Sequence, residues 1–243
     1  MMLLLATLVA YAADSQMVPD YAEPKEKLTA QLQIVDGLVN AGMHQEALKA
    51  VTSLRETGVK DPRFDVLQAR AMYGIGLSTE AEQVLRAHLR RHARDAEAWA
   101  LLGLFLADGG KVDDSIDAFK HSRRLHPNDA GTLNNLGYVY LARGDLEPAI
   151  EMFRASLAID PSQLRARNNL GFALARTERD SDALEVFRSA GSEADARYNM
   201  GVACELRGDE AFALTHYQAA ITALPAHPEA NAALARLLSK GKP

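Results

Sequence analysis

Apolar residues along this chain recur at helical spacing, and the helices they mark come in pairs. Leu133, Leu136, Gly137 and Tyr140 fall at i, i+3, i+4 and i+7, one face of a helix. Gly144 closes that helix, because glycine takes the left-handed turn past a helix C-terminus at little cost. Ala149, Ile150, Phe153 and Leu157 mark the apolar face of a second helix. Pro161 stops it by disfavouring the helical conformation at the residue before it. Gly137 and Ala149 are small where the two helices approach most closely, and Tyr140 and Phe153 fill the space beside them. The spacing is one of packing, not of catalysis.

The pattern recurs every 34 residues. Gly103, Gly110, Ser115 and Phe119 hold the places of Gly137, Gly144, Ala149 and Phe153. Upstream, Ala69, Gly76, Ala81 and Leu85 repeat them, and before these Val35, Gly42, Ala47 and Val51. Downstream come Gly171, Ala183 and Phe187, then Gly201, Gly208, Ala213 and Tyr217. Six repeats start at 28, 62, 96, 130, 164 and 194. A partial seventh at 228 predicts a capping helix over 228–239, laying Leu234 and Leu238 on repeat six. The fifth copy lacks four residues, about one helical turn, which shortens its second helix while keeping its face in phase. Gln68 and Glu178 break the pattern, the first at an apolar place and the second at a turn glycine, and both predict looser turns.

Trp99, Leu102, Gly103, Ser115, Phe119 and Pro127, followed by Leu136, Gly137, Tyr140, Ala149, Phe153 and Pro161, resemble the tetratricopeptide repeat signature. The resemblance implies an all-α solenoid of six helix-turn-helix repeats plus a C-terminal capping helix, wound as a right-handed superhelix over residues 28–243. It also implies that the first helix of each pair lines a concave groove that holds a segment of a partner protein. The groove places in repeats four to six are Asn134, Tyr138 and Leu141; Arg165, Asn168, Phe172 and Ala175; and Asp195, Tyr198, Val202 and Glu205. Of these, Asn134, Tyr138, Arg165, Asn168, Phe172 and Tyr198 are the expected partner-binding residues. The competing reading is that they pack sideways on neighbouring helices. The family's carboxylate clamp is not expected, because its lysine place holds Leu32, Val66, Ala100, Asn134, Asn168 and Tyr198.

Composition suits one all-helical array: 243 residues, 48% hydrophobic, 6% aromatic, with no β or α/β signal. A net charge of −5 argues against nucleic acid as a partner. Two basic runs, 86–94 and 120–124, stand out. Arg86, Lys120, Arg154 and Arg188 recur as a ladder, and Asp117, Glu151 and Glu185 precede the last three by three residues. That reads as a solvated, salt-bridged face, the alternative being a patch for an anionic partner. His88 and His92 stand one turn apart and read as surface histidines, the alternative being a shared metal. Cys204, the only cysteine, falls at an apolar place and reads as a buried structural thiol. No motif for catalysis, metal or cofactor is present, so a non-enzymatic protein without a cofactor is expected.

Residues 1–13, with an apolar run from Met2 to Ala10 and an Ala10-Tyr11-Ala12 site, resemble a secretory signal peptide, and residues 14–27 read as a polar linker. The run is shorter than a membrane span. No Lys or Arg precedes it, which is expected if the natural start lies upstream. The alternative is an N-terminal helix that packs or lies in the membrane face. LVAY, 8–11, is similar to a lipoprotein box with Tyr11 in place of the acylated cysteine. Export to the periplasm or outer membrane is therefore expected, with membrane association through the N-terminus at most. Together with RNNLGFALA and AGSEADARYNMGVA, this resembles the assembly lipoproteins of Tad-type and type IV pili, which escort secretin subunits. The expected partner is a secretin or pilus-assembly component. A periplasmic chaperone or adaptor of cytochrome maturation or envelope proteolysis is the second reading, and the regulatory part of an enzyme the third.

Overall fold

The computed structural model describes residues 24–240, and within them thirteen helices and no strand. The signal-like segment and the linker up to residue 23 lie outside the described residues. The described helices are α1 (Pro24–Asn40), α2 (His44–Glu56), α3 (Arg63–Gly74), α4 (Ser78–Arg91), α5 (Ala96–Asp108), α6 (Val112–Leu125), α7 (Ala130–Arg143), α8 (Leu146–Ile159), α9 (Leu164–Arg176), α10 (Asp180–Ala190), α11 (Glu193–Arg207), α12 (Glu210–Ala223) and α13 (Pro228–Lys240). Helix α1 starts four residues ahead of the first expected repeat. Among the described residues no helix is long and apolar enough to cross a membrane.

The helices fall into two compact units divided after Leu125. The first holds three helix pairs, α1–α2, α3–α4 and α5–α6. Its core is built from Val35, Val51, Phe64 and Leu67 in one cluster and Leu85, Leu102, Phe105 and Leu106 in the next. The second holds α7–α8, α9–α10 and α11–α12 plus α13, around Phe153, Leu174, Phe187, Met200 and Tyr217. Within a pair, a glycine on the first helix faces a ring on the second. A Cβ added at Gly137 would come within 2.8 Å of the Phe153 ring, and one at Gly171 within 2.4 Å of Phe187. Ser115, at the Ala149 place, is fully buried and donates its hydroxyl hydrogen to the Gly103 carbonyl, so the polar group is satisfied. Helix α10 has 11 residues against 14 in α8 and α12, so the shortened repeat loses most of a turn from its second helix.

The turn at Glu178 corrects the sequence expectation. Its φ is +62°, the same left-handed conformation that Gly144 and Gly208 adopt. The bonding also matches: Glu178 N–H donates to the Ala175 carbonyl and Arg179 N–H to that of Leu174, as Gly144 does to Leu141 and Asp145 to Tyr140. The turn is therefore as tight as the others, and a side chain is held where glycine is favoured. Glu178→Gly is expected to raise stability by about 0.5–1 kcal/mol, the relief of left-handed strain less the added entropy of the unfolded chain. A chemical-denaturation midpoint that falls instead would show the turn is not strained.

Two further expectations change. His88 is fully buried rather than at the surface, with Nδ1 3.2 Å from Asp65 and Nε2 2.9 Å from Asp95. Its place in the repeat is that of Ser122 and Ser156, which are also buried and bond to the carbonyls of Ala96 and Ala130, so this is an inward polar position. Arg188 pairs with Glu193 on α11, at 2.6 Å, and not with Glu185 on its own helix. Its arm reaches the start of the next helix, where the Arg188 and Arg197 guanidiniums hold the Glu193 carboxyl down at about 2. Cys204 is buried, and burial pushes its thiol pKa up.

Candidate functional site

In the second unit, α7, α9 and α11 are the first helices of their pairs and set the expected groove residues. Asp129 starts α7 by accepting the Gly131 and Thr132 N–H groups at 2.9 and 3.2 Å. Ser192 and Asp195 start α11 with a reciprocal capping box. These caps fix the first turns from which the groove side chains leave.

Asn134, Asn135, Tyr138, Arg165, Asn168 and Asn169 line one depression of about 410 Å³. Asn168 also lines a second of about 310 Å³, with Tyr198, Asn199 and His227 among its walls. Four of the six expected residues thus share one depression, and Tyr198 joins them through Asn168. Tyr138 is 56% exposed. The amides form a chain, Asn169 Nδ2 donating to Asn134 Oδ1 at 3.2 Å and Asn134 Nδ2 to Asn135 Oδ1 at 3.4 Å. Asn168 Oδ1 is buried and accepts no hydrogen bond from the described residues.

Phe172 lines neither depression. It meets Phe187 edge to face, centroids 5.1 Å apart, because its helix turns it onto the neighbouring ring. Tyr198 is half committed to packing, 5.8 Å from Tyr217 and 5.3 Å from His227. The remaining groove places are largely used within the fold: Ala175 is buried, Asp195 caps α11, and Glu205 accepts from Tyr217 and Arg236. Sequence reasoning missed Asn135, Asn169 and Asn199, although their recurrence at one repeat place was a usable signal. It also missed His227, which accepts the Ala230 N–H at the start of α13 and reaches Asp195 through Nε2 at 3.4 Å. Among the described residues no group of three or more His, Cys, Asp or Glu side chains is placed to hold a metal.

Two family models, both described as tetratricopeptide repeat, match residues 94–162 and 134–194. These repeats are tetratricopeptide repeats. Among solved structures, pilF of Pseudomonas aeruginosa is 17% identical over 86% of this chain and 96% of that one, with a TM-score of 0.67. YrrB, a tetratricopeptide-repeat protein with an unusual peptide-binding site, is 21% identical over 76% of this chain and 98% of its own, at 0.62. MamA from Desulfovibrio magneticus is 20% identical over 69% and 97%, at 0.58. At these identities the likeness is one of fold. By sequence, no curated protein matches the chain. The tetratricopeptide fold supports a protein–protein interaction role, with a protein or peptide segment as partner.

Proposed function

We propose that the asparagine- and tyrosine-lined face of α7, α9 and α11 binds an extended segment of an exported partner protein. On this reading the chain is a non-enzymatic scaffold of the bacterial envelope, an assembly factor of the pilotin kind for a pilus or secretion system. The observation that carries the binding reading is the continuous lining from Asn134 and Tyr138 through Asn168 to Tyr198, with the Asn168 carbonyl oxygen unpaired. An asparagine amide matches a peptide backbone because it presents a donor and an acceptor side by side. The exposed Tyr138 supplies contact area with few rotors to freeze. YrrB, with its peptide-binding site, supports a peptide as the bound group. The envelope role rests on the signal-like N-terminus and on the resemblance to pilus-assembly lipoproteins, with which the likeness to pilF agrees.

A photo-crosslinking residue at position 138, in cells that export the full chain, is expected to capture a secretin or another pilus-assembly component. Capture of a cytochrome-maturation or proteolysis component instead would favour the adaptor reading. Tyr138→Ala is expected to weaken binding of the captured partner by about 2 kcal/mol, roughly thirtyfold, with the thermal midpoint unchanged. Phe172→Ala should do the reverse, costing about 2–3 kcal/mol of stability while the folded fraction still binds, because its ring packs on Phe187. Equal binding by the Tyr138 variant and the parent chain would remove this face as the site.

A further inference from the structure

The two basic runs of the first unit come together at one edge of that unit. Trp99, on the first turn of α5, donates its indole N–H to the Ala93 carbonyl in the loop after α4, at 3.0 Å. The same indole stacks on His121 of α6, centroids 4.4 Å apart and 15° between planes, and His121 Nδ1 lies 2.7 Å from an Arg124 nitrogen. Trp99 therefore ties the C-terminal ends of α4 and α6 into one surface. Beside it is a depression of about 240 Å³ lined by Arg86, Leu89, Arg90, Trp99 and Leu102. Leu89 and Leu102 are buried and make an apolar floor. Arg86 is already neutralised, by Glu82 at 2.8 Å and Asp114 at 3.8 Å, whereas Arg90 and Arg94 are exposed and pair with no carboxylate among the described residues.

We propose that this pocket docks an acidic segment of a partner protein carrying one leucine- or phenylalanine-sized side chain. The apolar side chain lies over Leu89, Leu102 and the Trp99 ring. The flanking carboxylates pair with Arg90, Arg94 and Arg124, whose planar guanidiniums match a carboxylate in a two-pronged contact. Charge complementarity fixes the sign of the partner, and the apolar floor fixes its class. A phosphate backbone or a lipid headgroup would meet the guanidiniums but leave the floor exposed to water. A nucleic acid would also face the repulsion of a chain with net charge −5.

Trp99 is the only tryptophan, so its fluorescence reports on this pocket directly. The full chain is titrated with a glutamate-rich peptide bearing one central leucine, the same peptide with central glycine, a short DNA duplex, and phosphatidylserine vesicles. The leucine peptide is expected to shift Trp99 emission saturably, and the glycine peptide to bind at least about tenfold more weakly. Arg90→Ala with Arg94→Ala is expected to weaken the leucine peptide by about tenfold or more, with the unfolding midpoint unchanged because both side chains are exposed. Several results would overturn the proposal: equal binding of the two peptides, no response to either, tighter binding of DNA or vesicles, or an emission change on concentration alone accompanied by dimerisation.

Discussion

Gly171→Leu is expected to destabilise the protein by about 1–3 kcal/mol or more, with Gly137→Leu close behind. The first atom of a side chain at position 171 would already lie 2.4 Å from Cε1 of Phe187, and at 137 it would lie 2.8 Å from Phe153 and 3.2 Å from Cβ of Met152. Neither ring can yield toward solvent, since Phe153 is 0% and Phe187 1% exposed. Phe187 also packs edge to face with Phe172, so pushing it disturbs the ring next to Gly171 on α9. The glycine and the ring therefore act as one packing unit, and the cost of crowding it should be recoverable from the other side. Gly171→Ala combined with Phe187→Leu should be less destabilised than the sum of the two single changes, measured as urea midpoints on the full chain. An unchanged midpoint for Gly171→Leu would mean that the pairing of α9 with α10 is in the wrong register.

That pairing was legible in the sequence because a solenoid writes its contacts at a fixed interval. Gly103, Gly137, Gly171 and Gly201 each meet the ring at Phe119, Phe153, Phe187 or Tyr217, and all four pairs lie sixteen residues apart in the chain. The turn at Glu178 was misread for a related reason: side-chain identity suggests a looser turn, but the backbone there takes the left-handed conformation of the five equivalent turns at Gly42, Gly76, Gly110, Gly144 and Gly208, and the glutamate adapts to it. Position-by-position reading would also have found the buried His88, since Ser122 and Ser156 hold the same place; its position in an arginine-rich run beside His92 suggested a surface histidine instead. The candidate groove was readable only in part. Repeat places identify which helix presents a residue, so Asn134, Tyr138, Arg165 and Asn168 were brought together as expected. They do not tell which way a large ring turns when two neighbours compete for it, and Phe172 turned to Phe187. His227, just before α13, and Glu229, in its first turn, lie at the edge of the full repeats and carried no signal.

The end of the array gives the second large effect. Cutting the chain before Pro228 is expected to make it aggregate, because α13 covers the last repeat and a solenoid without its cap leaves an apolar face in water. The residues that do this differ from the sequence expectation. Ala230, Ala233 and Leu237 are buried at 0%, 8% and 5%, Leu234 is partly buried against the same core, and Leu238 is 55% exposed. At 3.6 residues per turn, Leu237 returns to within about 20° of Ala230 while Leu238 lies about 80° away, so the second leucine points off the contact. Two point variants then separate capping from a general effect of the C-terminus. Leu237→Glu buries a charge in place of packed carbon and should cost about 3 kcal/mol or more, whereas Leu238→Glu should stay within about 0.5 kcal/mol of the parent. Both are read from chemical denaturation and from light scattering at matched concentration. If the two variants behave alike, or if the truncated chain remains as soluble and stable as the full one, α13 is not the cap and the last apolar face must be covered by something else.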